Sequence, residues 1–203
     1  MEYTGSISVI YGPMFSGKTT ELLRRIRRHQ IAERKCLLIS YKNDNRYTEE
    51  SKAFTHDKIE MDASKVGLLC DVDGLVDEYE VIGIDEGQFF DDLLEKTEEW
   101  ANKGKTVIVA ALDADFNRKP FKEVCQLLPL AEKVKKLNSV CFFCNQKASF
   151  TKKTKGDKNQ LVEIGGKDVY QPACRKCFYT GKQLKSNNSH DNNSIMSFSS
   201  GEE

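Results

Sequence analysis

No stretch of this sequence approaches the ~18 consecutive apolar residues that a membrane-spanning helix requires. A net charge is also missing: 31 Lys and Arg balance 31 Asp and Glu among 203 residues, so no global field draws the chain to nucleic acid or to an anionic lipid surface. Position 2 is Glu2, not the glycine that myristoylation needs, and the C-terminus carries no prenylation box. The first β-like run begins at about Ile7, which leaves no room for a signal or transit peptide. Together these absences predict a soluble, cytoplasmic protein with neither membrane nor nucleic acid as partner. The sequons Asn187-Asn188-Ser189 and Asn192-Asn193-Ser194 then read as polar tail. No internal repeat is evident, and the length suits one ordinary domain with a real core and a small appendage.

What is present begins with Gly12-Pro13-Met14-Phe15-Ser16-Gly17-Lys18-Thr19, placed between the β-rich run at 7–11 and a helical pattern over 20–32. Strand, glycine loop, helix is the context that makes G-x-x-x-x-G-K-[ST] a phosphate-binding loop. The glycines let the backbone curl so that successive N–H groups meet phosphate oxygens, with the positive end of the helix dipole behind them. Lys18 then reaches the β and γ phosphates and Thr19 ligates Mg²⁺. The motif predicts a nucleoside triphosphate with Mg²⁺ as ligand.

The first 137 residues alternate between apolar strand-like runs, at 7–11, 35–41, 81–85, 106–112 and a short 133–137, and helical stretches. The clearest of the helices is 91–102, stopped by Lys103-Gly104. Near-continuous apolar strands with helices between them imply a parallel sheet covered on both faces, an α/β fold of the P-loop kind. Within it, VIGIDEGQFF at 81–90 is an apolar strand ending in two acids. That is the Walker B arrangement: Asp85 faces the metal, and Glu86, one residue further on, is free to take a proton from a water or a substrate hydroxyl. The competing reading is two acids capping the next helix.

Near Asn138 the composition shifts. The pairs Cys141-x-x-Cys144 and Cys174-x-x-Cys177 enclose 29 residues with few apolar side chains and a Gly156-Asp157 turn between β-like runs at 148–151 and 160–164. So small a core needs a staple, and four thiolates so paired suit a tetrahedral Zn²⁺, with disulfides as the alternative. Cys36, Cys70 and Cys125 lie in or beside apolar runs and are expected in the core. The chain thus divides into a P-loop domain at 1–138, a zinc-binding domain at 139–185 and a polar, low-complexity tail at 186–203 expected to be disordered. Arg24, Arg25, Arg27 and Arg28 follow the P-loop on one helix, where Glu21 can pair with Arg25 and the run is expected to face solvent. The basic stretch 133–185 is likewise expected to be a solvated face.

GPMFSGKTTELLRRIRR, IDEGQFF, AALDADFNRKPF and the paired cysteines with IGG between them resemble the thymidine kinases of the cellular and poxviral type, from about Ser6 to Lys182. The resemblance implies phosphoryl transfer from ATP to the 5′-hydroxyl of thymidine, with Glu86 as base and Lys18 and Arg46 offsetting charge. Gly12 to Thr19, Asp44, Asn45, Arg46 and Asp85, Glu86, Gly87 and Gln88 would border the nucleotides. Phe89, Leu112, Phe116, Phe121 and Tyr170 would line a nucleoside pocket, and the backbone of Leu161, Val162, Glu163, Ile164 and Gly165 would close over the base. Structural zinc and a homotetramer or homodimer are implied as well. Ala114-Asp115 stands where Gly-Thr is frequent, and Phe150 where Tyr is frequent, which alters the polarity of the pocket rim. No Lys-Glu-Asn degradation signal occurs in the tail. Two readings outside this class are a nucleic-acid-dependent ATPase, for which the chain lacks a second ATP-closing domain, and a zinc-ribbon binding module. In the latter Phe142, Phe143, Phe178 and Tyr179 would stack on bases, although packing on a small zinc core explains them better.

Overall fold

The computed structural model describes residues 5–42, 62–154 and 169–180. Its frame is a six-stranded sheet in which every neighbouring pair is parallel. The strands are β1 (Ser6–Tyr11), β2 (Cys36–Tyr41), β3 (Asp62–Val66), β4 (Val81–Ile84), β5 (Thr106–Ala111) and β6 (Lys133–Lys136), in the order β3-β2-β4-β5-β1-β6. Helices α1 (Lys18–Ile31), α2 (Asp73–Val76), α3 (Leu93–Asn102) and α4 (Lys122–Leu127) connect them. Because the sheet is parallel, the chain leaves β1, β4 and β5 at one edge, where open α/β sheets collect ligands.

The α/β fold read from the sequence is the fold found, with strand bounds within a residue of those expected. The edge strand β3 was not foreseen, because DASKV lacks the apolar run that marked the others. The central strands are apolar on both faces. On β5, Val107, Val109 and Ala111 enter one core with Trp100 and Leu93 of α3, while Ile108 and Ala110 enter the opposite core with Leu22 and Ile26 of α1. The period of two in a strand and of roughly four along the helix put these residues face to face. Helix α3 ends as expected, with Gly104 at φ 87 donating its N–H to the Ala101 carbonyl.

Beyond Asn138 lie two small antiparallel sheets, β7 (Ser139–Val140) with β8 (Lys147–Ala148) and β9 (Phe150–Lys153) with β10 (Tyr170–Ala173), followed by α5 (Arg175–Thr180). Their core is Cys141, Phe143, Ala148, Ala173 and Cys177. The expected turn at Gly156-Asp157, the run at 160–164 and the tail from residue 181 lie outside the described residues. No helix among the described residues is long and apolar enough to cross a membrane.

Three expectations need correction. Cys36 is buried, but Cys70 and Cys125 are exposed: Cys70 sits in a short 3-10 turn whose amide is held by Asp92 Oδ2 at 2.9 Å, and Cys125 faces outward from α4. Arg25 is not purely solvent-facing, since besides Glu21 it donates to Ser8 Oγ at 2.7 Å. The basic stretch is solvated along β6, but Lys153 is buried, and Lys152 turns inward to donate to the carbonyls of Cys177 and Phe178. The Glu21–Arg25 pair forms as read; Arg24 first, then Arg25 and Lys135, hold the Glu21 carboxyl far below its ordinary range.

Gly83 decides how closely α1 can approach the sheet. A Cβ there would collide with Ile26 Cδ1 and touch Leu22 Cδ1, both on fully buried side chains. Gly83→Ala should therefore cost about 1–3 kcal/mol through overpacking. Ile26→Val removes the clashing methyl, so the Ile26→Val/Gly83→Ala double variant should lose less than the sum of the singles in urea denaturation. Strict additivity would show that Gly83 does not set this spacing.

Candidate active site

The loop between β1 and α1 is built on residues that tolerate an unusual backbone. Gly12, at φ 150, passes so close to the Leu137 carbonyl that a Cβ would collide with it, and Gly17 enters α1 at φ 81. Phe15 adopts φ 61 and leaves its ring 40% exposed. The Pro13 carbonyl accepts both Ser16 Oγ at 2.8 Å and Lys18 Nζ at 2.9 Å. Lys18, though buried, therefore lies folded across its own loop, and glycine at the head of α1 offers no side chain to cap the first-turn N–H groups. Those N–H groups and the ammonium form the donor set that a polyphosphate requires.

Across the edge of the sheet, Asp85 follows β4 and is 1% exposed. Thr19 Oγ1 donates to its carboxylate at 2.9 and 3.2 Å. A hydroxyl and a carboxylate so joined are a hard-oxygen pair at the position where a divalent cation between phosphate and protein would sit, so the residues fit Mg²⁺. Glu86 follows Asp85 directly. Its backbone is left-handed, at φ 53, and its half-buried carboxylate accepts Gln88 Nε2 at 2.6 Å. Gln88 Oε1 in turn accepts the Leu112 N–H at 2.9 Å. Glu86 stands at the N-cap of the following 3-10 turn and makes no side-chain capping hydrogen bond there, contrary to the capping alternative for this residue.

Gln88 is thus a bridge from Glu86 to the end of β5, and Gly87, fully buried, packs where a Cβ would meet Val109. Beyond β5, Phe116 is buried and faces Tyr170 of β10, ring centroids 6.2 Å apart, with Lys153 Nζ 5.1 Å from the Phe116 ring. The other proposed pocket residues are less close-knit. Phe89 packs on Tyr41 at 5.2 Å, and Phe121 precedes α4, leaning on the main core. Asp44, Asn45, Arg46 and the segment Leu161, Val162, Glu163, Ile164 and Gly165 lie outside the described residues.

Cys141, Cys144, Cys174 and Cys177 place their Sγ atoms within 4.8 Å of one another. The Cys144–Cys174 Sγ separation of 3.6 Å matches the edge of about 3.8 Å expected of a tetrahedron with 2.3 Å Zn–S bonds and is far too long for a disulfide. All seven cysteines are free thiols. Burial first, then the adjoining thiols, push Cys177 up to about 12, whereas Cys141 falls to about 7 because backbone N–H donors outweigh its burial. Ionisation of Cys177 is thus opposed where no cation is present, and a metal on the four sulfurs would compensate that charge.

Contacts that no motif announced tie this unit to the phosphate loop. Thr151 Oγ1 accepts the Met14 N–H at 3.0 Å, and Ser139 Oγ donates to the Phe15 carbonyl at 2.9 Å. Each joins residues more than 120 positions apart, so no local pattern could have revealed it. Of the aromatics expected on the cysteine core, Phe143 is buried there and Phe178 packs against it, while Phe142 and Tyr179 are exposed.

Comparison with known proteins agrees with this geometry. The thymidine kinase family model matches residues 5–178. Over 174 residues, 86% of this chain and 97% of the relative, the sequence is 53% identical to the thymidine kinase of vaccinia virus (strain Ankara). The same identity and coverage hold for the thymidine kinases of monkeypox virus and of variola virus (isolate Human/India/Ind3/1967). A phosphate loop, a Thr19–Asp85 pair and a four-cysteine unit, carried at this level of identity over nearly the whole of those relatives, make the chain a member of the thymidine kinase family.

Proposed function

We propose that this kinase transfers the γ-phosphoryl of ATP to the 5′-hydroxyl of thymidine with Glu86 as the general base. The observation that carries the assignment is the Glu86 carboxylate, held by Gln88 in a left-handed backbone one residue beyond the Thr19–Asp85 pair. Asp85 is deeply buried and accepts Thr19, whereas Glu86 is half-buried, so an acceptor hydroxyl can approach its carboxylate more readily. Glu86 takes the hydroxyl proton as the oxygen attacks phosphorus in line and the bond to the ADP leaving oxygen breaks. Lys18 swings from the Pro13 carbonyl to the β and γ phosphates, and Arg46 offsets charge on the phosphoryl in transit. Thr19 and Asp85 would hold Mg²⁺, which when bound neutralises charge shared between the β and γ phosphates.

Phe89, Leu112, Phe116, Phe121 and Tyr170 make the apolar walls for the nucleoside, and the backbone at Leu161 to Gly165 supplies an N–H for thymine O4 and a C=O for N3–H. Cytosine reverses both demands, leaving unpaired buried groups at about 1–3 kcal/mol each. Zn²⁺ on the four cysteines stabilises the small domain, 139–185, that carries this segment, and the P-loop domain spans 1–138. The cytoplasm is the compartment consistent with free thiols, and a homotetramer or homodimer the assembly implied by the family resemblance. A nucleic-acid-dependent ATPase is not favoured.

Glu86→Gln keeps a partner for Gln88 but cannot accept a proton, so thymidine-dependent ADP release should fall by about 10²–10⁴-fold while ATP still binds. Deoxycytidine and single-stranded DNA should stimulate little. Turnover driven by DNA and not by thymidine would sink the assignment.

Elemental analysis of the purified protein should find close to one zinc per chain, and Cys177→Ser should lose it together with thermal stability. A metal-free wild type with full thymidine turnover would remove zinc from the account.

A further inference from the structure

The turn that carries Phe116 is tightly built. Asp115 Oδ1 accepts the N–H groups of Asn117 and Lys119, both at 2.8 Å, the Asp115 N–H donates to the Lys119 carbonyl at 2.9 Å, and Ala114 bridges Pro120. Residues within such a turn move as one piece. Its two prominent side chains leave in different directions: Phe116 faces Tyr170, and Arg118, at φ 63, enters the four-cysteine unit.

The guanidinium carbon of Arg118 lies 5.5 Å from the Phe150 ring centroid, 5.0 Å from Phe178 and 4.9 Å from Tyr179. Its Nε is buried without a hydrogen-bond partner, and among the described residues no carboxylate pairs with it. A guanidinium so placed is held by ring faces, an attraction that strengthens as water is removed. The rings belong to the cysteine unit itself. Phe178 and Tyr179 directly follow Cys177 on α5, and Phe150 opens β9. Lys152, donating to the Cys177 and Phe178 carbonyls, fixes the end of α5 against β9.

We propose that Arg118 is a positioning residue for the nucleoside: clasped by Phe150, Phe178 and Tyr179, it pins the 115–119 turn, and with it Phe116, to the four-cysteine unit. The proposal rests on the reading that Phe116 lines the nucleoside pocket. Arg118 does not reach ATP, whose contacts are on the β1–α1 loop, so its effect belongs to the nucleoside alone. A residue that merely stapled the cysteine unit in place would instead disturb the phosphate loop too, through Thr151–Met14 and Ser139–Phe15.

Steady-state kinetics on the full chain, with zinc content measured on the same samples, separate these cases. Arg118→Met keeps the length and loses the cation; it should raise KM for thymidine by about 5- to 30-fold, the range expected of a desolvated cation–π contact, with KM for ATP within about 2-fold and zinc retained. Tyr179→Leu, at a ring that is 63% exposed and so safe for folding, should shift KM for thymidine in the same direction by about 3-fold. Phe116→Ala tests the pocket itself and should raise KM for thymidine at least as much as Arg118→Met. An unchanged thymidine KM in both Arg118→Met and Tyr179→Leu, or a parallel rise in both KM values with loss of zinc, overturns the positioning role. An unchanged thymidine KM in Phe116→Ala overturns it as well, and in that case locates the fault in the pocket reading.

Discussion

A carboxylate that water barely reaches, Asp85, takes the Thr19 hydroxyl across the carboxyl-terminal edge of the sheet, and the geometry of the site follows from that contact. Asp85 follows β4 and Thr19 lies in the first turn of α1, which β1 leads into, and β5 separates β4 from β1 in the sheet. Bringing them within 2.9 Å requires α1 to lie close on the sheet, which the missing side chain of Gly83 allows. A buried carboxylate costs several kcal/mol in lost hydration unless donors or a cation replace the water. Here the dehydration is already part of the folded state, so a divalent cation arriving with a polyphosphate meets a carboxylate that need not be stripped of water. The same burial, with Thr19 donating to the carboxylate, distinguishes Asp85 from the half-buried Glu86 beside it.

Strain is placed accordingly. Among the described residues five non-glycines have positive φ, and three of them, Phe15, Glu86 and Arg118, lie in the loops after β1, β4 and β5. Each such backbone costs on the order of 1–3 kcal/mol and persists only where neighbours over-determine it. Those neighbours are visible: Ser139 on the Phe15 carbonyl, Gln88 on the Glu86 carboxylate, and three rings on Arg118. Two of the three supports come from the four-cysteine unit, so the unit helps to hold the shape of the edge it covers.

This division explains what could be read in advance. The phosphate loop, the Asp85-Glu86 pair and the cysteine pairs were legible because each is a local pattern whose chemistry is fixed by spacing of a few residues. The central strands were legible because burial on both faces leaves them almost wholly apolar. β3 escaped because an edge strand needs only one covered side, and Cys70 and Cys125 were misplaced because an apolar neighbourhood in sequence does not say which way a side chain turns. The bridge from Gln88 to Leu112, and the roles of Ser139, Thr151 and Arg118, escaped for a further reason. Each acts on a group 24 or more positions away and carries no signature of its own.

The four-cysteine unit can do this work only if something other than apolar burial holds it together. Among the described residues its core is five buried side chains, two of them cysteines, too few by themselves to offset the chain entropy of ordering the unit. A metal on four thiolates would supply that stability at one point, and cations seated on rings add to it: Lys152 on Phe143 and Phe178, Arg175 on Phe150, Arg118 on three rings at once. Cations and aromatics suit an appendage that must be rigid without a large core, because a ring face accepts a cation at the surface where an apolar contact would be half wasted on water. Of the basic residues that looked like a solvated face, Lys152 and Arg175 fasten the four-cysteine unit onto itself and Lys153 reaches the Phe116 ring beyond it, while Arg118, from the turn after β5, is clasped by the unit's rings.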